Sequence, residues 1–207
     1  MLLIHMAAAK KIETVIISLG GSVLAPAHID AAFLQQFTQL ILKFVHDGYR
    51  FVIICGGGKT AREYQKAARE VVHAIPEDLD WLGIHATRLN AHLLRTLFRE
   101  IAYQKVIKNP NRKIKMKESQ RVVIAAGWKP GWSTDYDAVL LAKNLGAKTV
   151  INITNTDFVY DKDPMKFSDA RPLRQTTWKD FRRLIGVTEW SPGLNTPFDP
   201  VAASSAE

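Results

Sequence analysis

The sequence predicts an α/β fold, a three-layer αβα sandwich with a mostly parallel central sheet. Short apolar runs alternate along the chain with longer segments whose apolar residues recur at helical spacing. Several of the apolar runs end directly in Gly-rich or polar loops. Alternating strands and helices imply parallel strands covered on both faces. Because ligands of such sheets bind at the carboxyl ends of the strands, we expect these loops to meet in one crevice.

Four apolar runs are predicted to form buried strands, because short apolar runs bounded by turn residues are typical of the interior of a parallel sheet. The first two end in glycine turns, at 20–21 and 56–58, and the third ends at Gly127. The fourth leads into a dense polar stretch. The runs cover residues 14–19, 51–55, 122–126 and 149–153.

Helices are predicted between and after these strands. Gly48 and Gly146 each follow a segment of helical periodicity and are typical helix stop signals. Ser133 or Thr134 is a suitable N-cap for the helix that Gly146 ends. The predicted helices cover 30–45, 60–72, 79–103, 134–145 and 178–185, with another beginning at Asp199.

Length and composition fit one globular domain over residues 1–207, with 47% hydrophobic and 23% charged residues. The single cysteine, Cys55, excludes an intramolecular disulfide, fits a reducing compartment and is expected in the core. The apolar stretch at 2–4 is too short for a signal peptide, and no run is long enough to span a membrane. We therefore expect a cytoplasmic protein that does not contact a membrane.

The net charge of +8 is concentrated in one segment. Its positive residues are Lys105, Lys108, Arg112, Lys113, Lys115, Lys117 and Arg121. The turn signal at 109–111 and the alternation at 113–117 predict a basic hairpin at about 104–121. Such a surface can serve a nucleic acid, an anionic small substrate or solvation alone. No aromatic residues are interleaved with the lysines to stack bases, which argues against a nucleic-acid partner.

The two glycine loops at 20–22 and 56–62 are suited to phosphate binding. Glycine lets the backbone approach a phosphate closely, and N–H groups at a helix start attract anions. Lys59 and Arg62 lie in a first helical turn, where a cation opposes the helix dipole. A polyanion bound opposite them would explain their presence. Neither loop has the spacing of a P-loop or of a dinucleotide-binding fingerprint.

Five motifs follow one another in a characteristic order. They are Gly20-Gly21-Ser22, Gly56-Gly57-Gly58-Lys59-x-x-Arg62, Asp80-x-x-Gly83-x-x-x-Thr87-x-x-Asn90, Pro130-Gly131-x-Ser133-Thr134-Asp135 and Thr154-Asn155-x-Asp157-x-Val159-Tyr160-x-x-Asp163-Pro164. Over about residues 14–203 this order resembles the amino acid kinase superfamily and, within it, the archaeal-type UMP kinases. The resemblance implies the amino acid kinase fold and transfer of the ATP γ-phosphoryl group to UMP. It also implies Mg²⁺ held mainly by the ATP phosphates and a homo-oligomer, usually a hexamer.

The resemblance assigns residues to both substrates. The ATP phosphates are expected at Gly21, Ser22, Gly58 and Arg62, and the adenosine at Thr154, Asn155, Tyr160 and Asp163. The UMP site is expected at Gly57, Asp80, Trp128, Lys129, Pro130, Gly131, Trp132, Ser133 and Thr134. Asp80 has two acceptor oxygens for the sugar hydroxyls. In catalysis Arg62, Lys59 and Lys129 are expected to neutralise charge, and Asp135 to orient donors.

The chain departs from the family pattern at three places. Ser18 stands where many members carry a lysine that neutralises the transferred phosphate, and Thr156 and Phe158 stand where relatives usually have valine and glycine. Relatives also continue beyond the motif at 199–203 with a helix, a strand and a further helix, so we expect this chain to lack the family's last strand and helix. The loop at 190–198 is expected to border the nucleotide site.

Other functions remain open on the sequence alone. Another small-molecule kinase of the superfamily is one alternative, although the loop after Gly58 lacks the histidine expected for isopentenyl phosphate. A non-catalytic nucleotide-binding subunit is favoured by Ser18, and a nucleic-acid-binding protein rests only on the basic segment. His85 and His92 share a helix face without a third ligand at a suitable spacing, so no metal site is expected.

Overall fold

The computed structural model describes residues 12–189 and 196–207. The stretch at 2–4 and most of the loop at 190–198 lie outside these residues. Four strands form a parallel sheet in the order β3-β2-β1-β4. They are β1 Thr14–Leu19, β2 Arg50–Cys55, β3 Val122–Ala125 and β4 Thr149–Ile153. A small antiparallel pair, β5 Val159–Tyr160 and β6 Pro172–Leu173, follows β4.

Seven helices connect or follow the strands in the described residues. They are α1 Gly21–Leu24, α2 Ala31–His46, α3 Gly58–Val71, α4 Pro76–Leu97, α5 Thr134–Leu145, α6 Trp178–Ile185 and α7 Pro200–Ala206. Side-chain oxygens cap α2, α5, α6 and α7 by accepting a backbone N–H three residues further on. The predicted cap Ser133 accepts from Tyr136 at 3.1 Å.

Each face of the sheet buries its own core, as the period of two along a strand requires. In β1, Ile17 and Leu19 pack into the core beneath α2 and α4, together with Phe37 and Phe98. Ile16 of the same strand points to the opposite face and packs with residues of α5. The predicted three-layer αβα sandwich is therefore confirmed.

The strand β4 does not have the burial predicted for it. Residues 149–153 were expected to be buried, yet β4 is the edge strand of the described sheet, and Ile151 is 43% exposed. Among the described residues, β4 pairs with β1 alone. The apolar composition of this strand predicted a β-strand correctly, but composition does not distinguish a central strand from an edge strand.

The helix α4 ends at Leu97, six residues before the predicted end at 103. The chain instead turns and runs beside β3, where Ala102 bridges Val122 and the N–H of Tyr103 donates to the Val122 carbonyl at 2.7 Å. The open edge of β3 offers backbone partners that helical periodicity does not reveal.

The predicted basic hairpin is wrong, because residues 104–121 contain no paired strands. The turn itself forms, with the Arg112 N–H donating to the Asn109 carbonyl at 3.1 Å. Beyond the turn, Ile114 and Met116 pack against the α5-side core. The alternation at 113–117 therefore reflects a single extended segment lying on the core.

Replacing Gly21 with alanine is expected to destabilise the fold by at least about 2 kcal/mol. A Cβ there would lie 2.6 Å from the Gly58 Cα and 2.8 Å from the Gly56 carbonyl carbon, and backbone atoms cannot yield as a flexible side chain can. Urea unfolding measures the change. Gly83→Ala is the control, because its Cβ would meet only the end of the Gln65 side chain. Equal stability of the two variants would contradict this account.

Candidate active site

The glycine turns after β1 and β2 pack against each other backbone to backbone. A Cβ on Gly58 would lie 2.9 Å from the Gly21 carbonyl carbon, and Gly58 has a φ of +64°. Only glycine satisfies both constraints without strain. The turns are also tied to the sheet, since the N–H of Gly20 donates to the Ile153 carbonyl at 2.8 Å and that of Gly56 to the Leu19 carbonyl at 2.9 Å.

Two polar side chains of α4 bond to the loops that follow β2 and β3. The Asn90 side-chain amide donates to the carbonyls of Gly56 at 2.8 Å and Gly57 at 3.3 Å. The Thr87 hydroxyl donates to the Ile84 carbonyl at 2.7 Å and accepts the Gly127 N–H at 2.9 Å. The sequence placed Thr87 and Asn90 in a motif without assigning them a role, and the structure shows that they support the loops.

A cavity of about 310 Å³ lies above these turns. It collects eight of the residues that the sequence predicted for the phosphates, the acceptor or catalysis, from three separate parts of the chain. They are Gly57, Gly58, Arg62, Asp80, Trp132, Ser133, Thr134 and Asp135. Gln65, Gly83 and Ile84 complete much of the wall.

A second cavity of about 320 Å³ adjoins the loop after β4. All four residues predicted for the adenosine side line it, namely Thr154, Asn155, Tyr160 and Asp163. Phe158, Leu184 and Ile185 give it apolar walls. The turn at Gly20 stands beside this loop, because a Cβ on Gly20 would meet the Ile153 carbonyl and the Thr154 Cα. The two glycine turns thus form a ridge between the two cavities.

The remaining predicted residues lie around the cavities and do not line them. Gly21 and Ser22 belong to the ridge, and Lys59 pairs with Glu63 at 3.6 Å on the exposed side of α3. Trp128, Lys129, Pro130 and Gly131 lie outside the described cavity lining. The Lys129 ammonium sits over the rings of Trp128, at 4.4 Å, and Trp132, at 5.4 Å. Roles for these residues in binding or catalysis stay predictions.

The loop at 128–134, which we call the acceptor loop because the sequence predicts the UMP site there, is held to α4 by hydrogen bonds. The N–H of Gly131 donates to the Asp80 carboxylate at 2.7 Å, and an Arg88 guanidinium N–H donates to the Trp128 carbonyl at 3.2 Å. The rings of Trp132 and Tyr136 lie 4.3 Å apart, which braces the loop against α5. The loop therefore has a defined position over the first cavity.

Asp135 lies at the floor of the first cavity and links three elements. Its carboxylate accepts from the Ser18 hydroxyl at 2.7 Å and from the Asp199 N–H at 3.2 Å. Burial raises the pKa of Asp135, while the bond from Ser18 opposes that shift. The carboxylate thus orients a hydroxyl of β1 and a backbone donor next to α7.

Asp137 is a fully buried carboxyl that sequence reasoning missed. One carboxyl oxygen accepts the Trp128 N–H at 3.0 Å, and no partner is found for the other among the described residues. Burial raises the pKa of Asp137 to about 7. An acid in a first helical turn usually lies at the surface, where it suits the helix dipole, so its position in the helix did not indicate burial. The adjoining apolar run 138–142 was the available signal.

Two further chemical properties of the described residues bear on the site. Among residues 12–189 and 196–207, no group of three or more His, Cys, Asp or Glu side chains is arranged to hold a metal ion. Cys55 is buried, and burial raises the pKa of its thiol to about 12, which disfavours the reactive thiolate.

No helix in the described part of the chain combines the length and hydrophobicity needed to cross a membrane.

Comparison with known proteins gives matches over nearly the whole chain. Residues 13–207 match the profile of the Amino acid kinase family. A uridylate kinase of Pyrococcus abyssi is 35% identical over 190 residues, which cover 92% of this chain and 84% of the relative. One from Sulfurisphaera tokodaii is 38% identical over 183 residues, covering 86% and 80%. The crystal structure of uridylate kinase from Archaeoglobus fulgidus superposes with a TM-score of 0.78 at 34% identity, over 92% and 84% of the two chains.

Replacing Asp137 with asparagine is expected to weaken the pH dependence of stability. Between the ordinary pKa of 3.8 and the raised value of about 7, the folded state holds a proton that the unfolded state releases. Stability therefore falls as the pH rises through this window. From pH 5 to pH 8, the wild type should lose roughly 2 to 4 kcal/mol of unfolding free energy more than Asp137→Asn.

Urea unfolding at the two pH values measures this difference. The control is Asp47→Asn, which changes an exposed aspartate at the end of α2 and should leave the wild-type pH dependence intact. The assignment fails if Asp137→Asn loses as much stability as the wild type over this pH range.

Proposed function

The chain belongs to the amino acid kinase family, and from this premise we propose that it transfers the γ-phosphoryl group of ATP to UMP, giving ADP and UDP. The observation that carries the proposal is the pair of cavities on either side of one glycine ridge. A kinase that joins two nucleotides must hold their phosphates end to end. The ridge is the place where phosphates from the two cavities can meet.

The first cavity suits UMP. Asp80 already uses one carboxylate oxygen to hold the Gly131 N–H, and its other oxygen is available for a sugar hydroxyl. Trp132 offers an aromatic face at the cavity wall for the base. The acceptor phosphate would then extend toward Gly57, Gly58 and Arg62, with Ser133 and Thr134 as further donors.

The second cavity suits the adenosine of ATP. Thr154, Asn155 and Asp163 supply polar contacts, while Tyr160, Phe158 and Leu184 supply apolar surface for a base. From this cavity the triphosphate would cross the ridge at Gly21 and Ser22. Apolar walls with a few polar groups are typical of nucleotide pockets.

The reaction needs no general base on the protein. The second pKa of a phosphate monoester is about 6, so the UMP phosphate is mostly a dianion at neutral pH and can itself attack. A UMP phosphate oxygen forms a bond to the γ-phosphorus, and the bond from that phosphorus to the bridging oxygen breaks. The electron pair leaves with ADP. Catalysis then consists of positioning two anions and neutralising the charge between them.

Arg62 is proposed as the main protein cation at the transferred phosphate. It is the lysine or arginine that lines the first cavity among the described residues, and it lies one turn from the ridge. No acceptor is found in the described residues for the N–H groups of Gly57 and Gly58, which leaves both able to donate to phosphate oxygens. Lys59 and Lys129 would need to leave their present contacts with Glu63 and the tryptophan rings to join them.

Ser18 and Asp135 are proposed to act by positioning. The Ser18 hydroxyl donates a hydrogen bond to the Asp135 carboxylate. Many family members carry a lysine at the position of Ser18. The hydrogen bonds of Asp135 hold the start of α5 against β1 and α7, so its contribution is to the shape of the cavity floor. No proton transfer by Asp135 is required.

Magnesium is proposed to enter as part of the substrate Mg·ATP, held chiefly by the nucleotide phosphates. Mg²⁺ commonly keeps several waters and binds through substrate phosphates, so it does not require a cage of protein carboxylates. A homo-oligomer and a cytoplasmic location are likewise proposed from the family resemblance.

Arg62→Ala is expected to lower kcat/KM for UMP by about 10² to 10³, because it removes a donor that acts on charge in the transition state. A coupled assay of ADP release measures the rate with UMP, CMP, AMP and isopentenyl phosphate as acceptors. The wild type should prefer UMP. Arg69→Ala, on the exposed surface near the end of the same helix, is the control and should retain activity. Full activity of Arg62→Ala would refute its role, and preference for another acceptor would refute the substrate.

Asp80→Asn is expected to raise the KM for UMP by about tenfold or more, since the carboxylate provides charge-assisted hydrogen bonds to the sugar. Steady-state kinetics with UMP, 2′-deoxy-UMP and 3′-deoxy-UMP measure the effect. For the analogue that lacks the hydroxyl bound by Asp80, Asp80→Asn should leave KM nearly unchanged. Equal losses with all three acceptors would show that Asp80 acts only by holding Gly131.

A further inference from the structure

The chain carries most of its net charge on one segment away from the two cavities. We call residues 104–121 the basic strap. Between 105 and 121 it contains seven lysines and arginines and a single acid, Glu118, for a net charge of +6. The whole chain has a net charge of +8, so the remainder is close to neutral. The active-site proposal uses none of these residues.

The strap is fixed in place at several points. The N–H of Ile107 donates to the Ile124 carbonyl at 2.9 Å, which holds the first part along β3. The Asn144 side-chain amide donates to the carbonyls of Pro110 at 2.8 Å and Arg112 at 2.9 Å, which ties the turn to α5. Near the end of the strap, the N–H of Lys117 donates to the Gln120 side chain at 2.9 Å.

This anchoring arranges the lysines on one side. Ile114 and Met116 pack against the core, so the alternating residues Lys113, Lys115 and Lys117 are exposed together. In extended chain, residues two apart are separated by roughly 6 to 7 Å. The fold therefore holds the backbone that carries three like charges in a row, and a bound polyanion would not have to order this backbone.

The charge of the strap is not neutralised within the protein. None of the ion pairs in the described part of the chain involves a strap residue. At the end of the strap, burial and then the charge of Arg121 lower the pKa of Arg50, while the strap's one acid, Glu118, opposes that shift. The Arg50 Nε and one Arg121 Nη are buried without an acceptor among the described residues.

We propose that the basic strap is a binding surface for the phosphodiester backbone of double-stranded nucleic acid. Lysine and arginine contacts to phosphates give affinity without reading sequence. The strap contains no aromatic side chain to stack unpaired bases, which favours a duplex over a single strand. Its large apolar residues Ile114 and Met116 are turned to the core, so none is free to enter a lipid bilayer.

The sequence alone argued against a nucleic-acid partner, whereas the position of the lysines in the structure favours a duplex. The missing aromatics argued against nucleic acid as a whole, but they bear only on unpaired bases. What sequence did not show was that the lysines share one anchored face and that Arg50 stands beside Arg121 at its end.

Nucleic-acid binding would be independent of phosphoryl transfer. Asn144, which anchors the strap, lies in the last turn of α5, whereas Ser133 at the other end of this helix lines the first cavity. A helix of 12 residues spans about 18 Å. The first part of the strap runs closer to the cavity, because Ile107 bonds to Ala126, the neighbour of the lining residue Gly127. The lysine row at 113–117 follows the anchor at Asn144, so a duplex on this row need not cover the cavity.

Fluorescence anisotropy with 20-base-pair duplex RNA and duplex DNA tests the proposal at several salt concentrations. The full chain should bind with an affinity that falls steeply with salt. The variant Lys113→Gln/Lys115→Gln/Lys117→Gln should bind at least about tenfold more weakly at 100 mM salt, with the slope of log K against log salt shallower by about 2 to 3, because each lost phosphate contact removes about 0.9 from it. Its UMP kinase activity should be unchanged.

The matched control is Lys43→Gln/Lys66→Gln/Lys179→Gln, which removes the same charge from exposed positions on α2, α3 and α6. It should change affinity less than about twofold. Equal loss in both triple variants would show a general charge effect and overturn the proposal. So would absence of duplex binding, or tighter binding to polyglutamate or to vesicles containing phosphatidylserine. Absence of kinase activity in the wild-type chain would overturn the proposed function and leave the strap proposal standing, whereas loss of activity only in the strap variant would overturn the independence of the two sites.

Discussion

The close backbone contact between the turns at Gly21 and Gly58 is the constraint on which the rest of the site depends. A side chain at either position would push the turns apart, and no rearrangement of a flexible neighbour could accommodate it. Because β1 and β2 are adjacent parallel strands, the two turns emerge side by side from the same edge of the sheet. Their contact produces a ridge with a cavity on each side. The phosphates of two substrates can meet there because no side chain intervenes.

Polar groups whose burial costs desolvation free energy surround the ridge and keep its neighbouring loops in place. Asn90 satisfies the carbonyls of Gly56 and Gly57 in the ridge, and Thr87 satisfies the N–H of Gly127 in the loop after β3. Asp135 and Asp137 are carboxyls in a low-dielectric setting, and burial raises the pKa of both. Their retention makes physical sense if the position of the acceptor loop matters more than the stability they sacrifice. Under the proposed function, the buried carboxyls and the glycines serve one purpose, the placement of backbone donors around phosphate.

Local sequence patterns predicted the fold because they act over short distances, and twelve of the residues predicted for the site line the two cavities. The apolar runs, the cap at Ser133 and the stop at Gly146 depend on neighbouring residues, and the structure confirms them. Features that depend on distant partners were missed. The end of α4 was misplaced because β3 supplies backbone partners 20 residues away, and the supposed hairpin is one extended segment because Ile114 and Met116 find the core. The burial of Asp137 depends on Trp128 and the packing of α5, which periodicity does not report.

The central claim is that two nucleotides bind with their phosphates meeting across the glycine ridge. Isothermal titration with uridine and adenosine joined by a pentaphosphate, compared with UMP and ATP separately, tests it most directly. The account predicts that one molecule of the joined compound binds per chain, at least about tenfold more tightly than either nucleotide, because the second half binds at a high effective concentration. It also predicts that UMP and ATP each compete with it. Affinity no greater than that of the better single nucleotide, or two molecules per chain, would contradict the account.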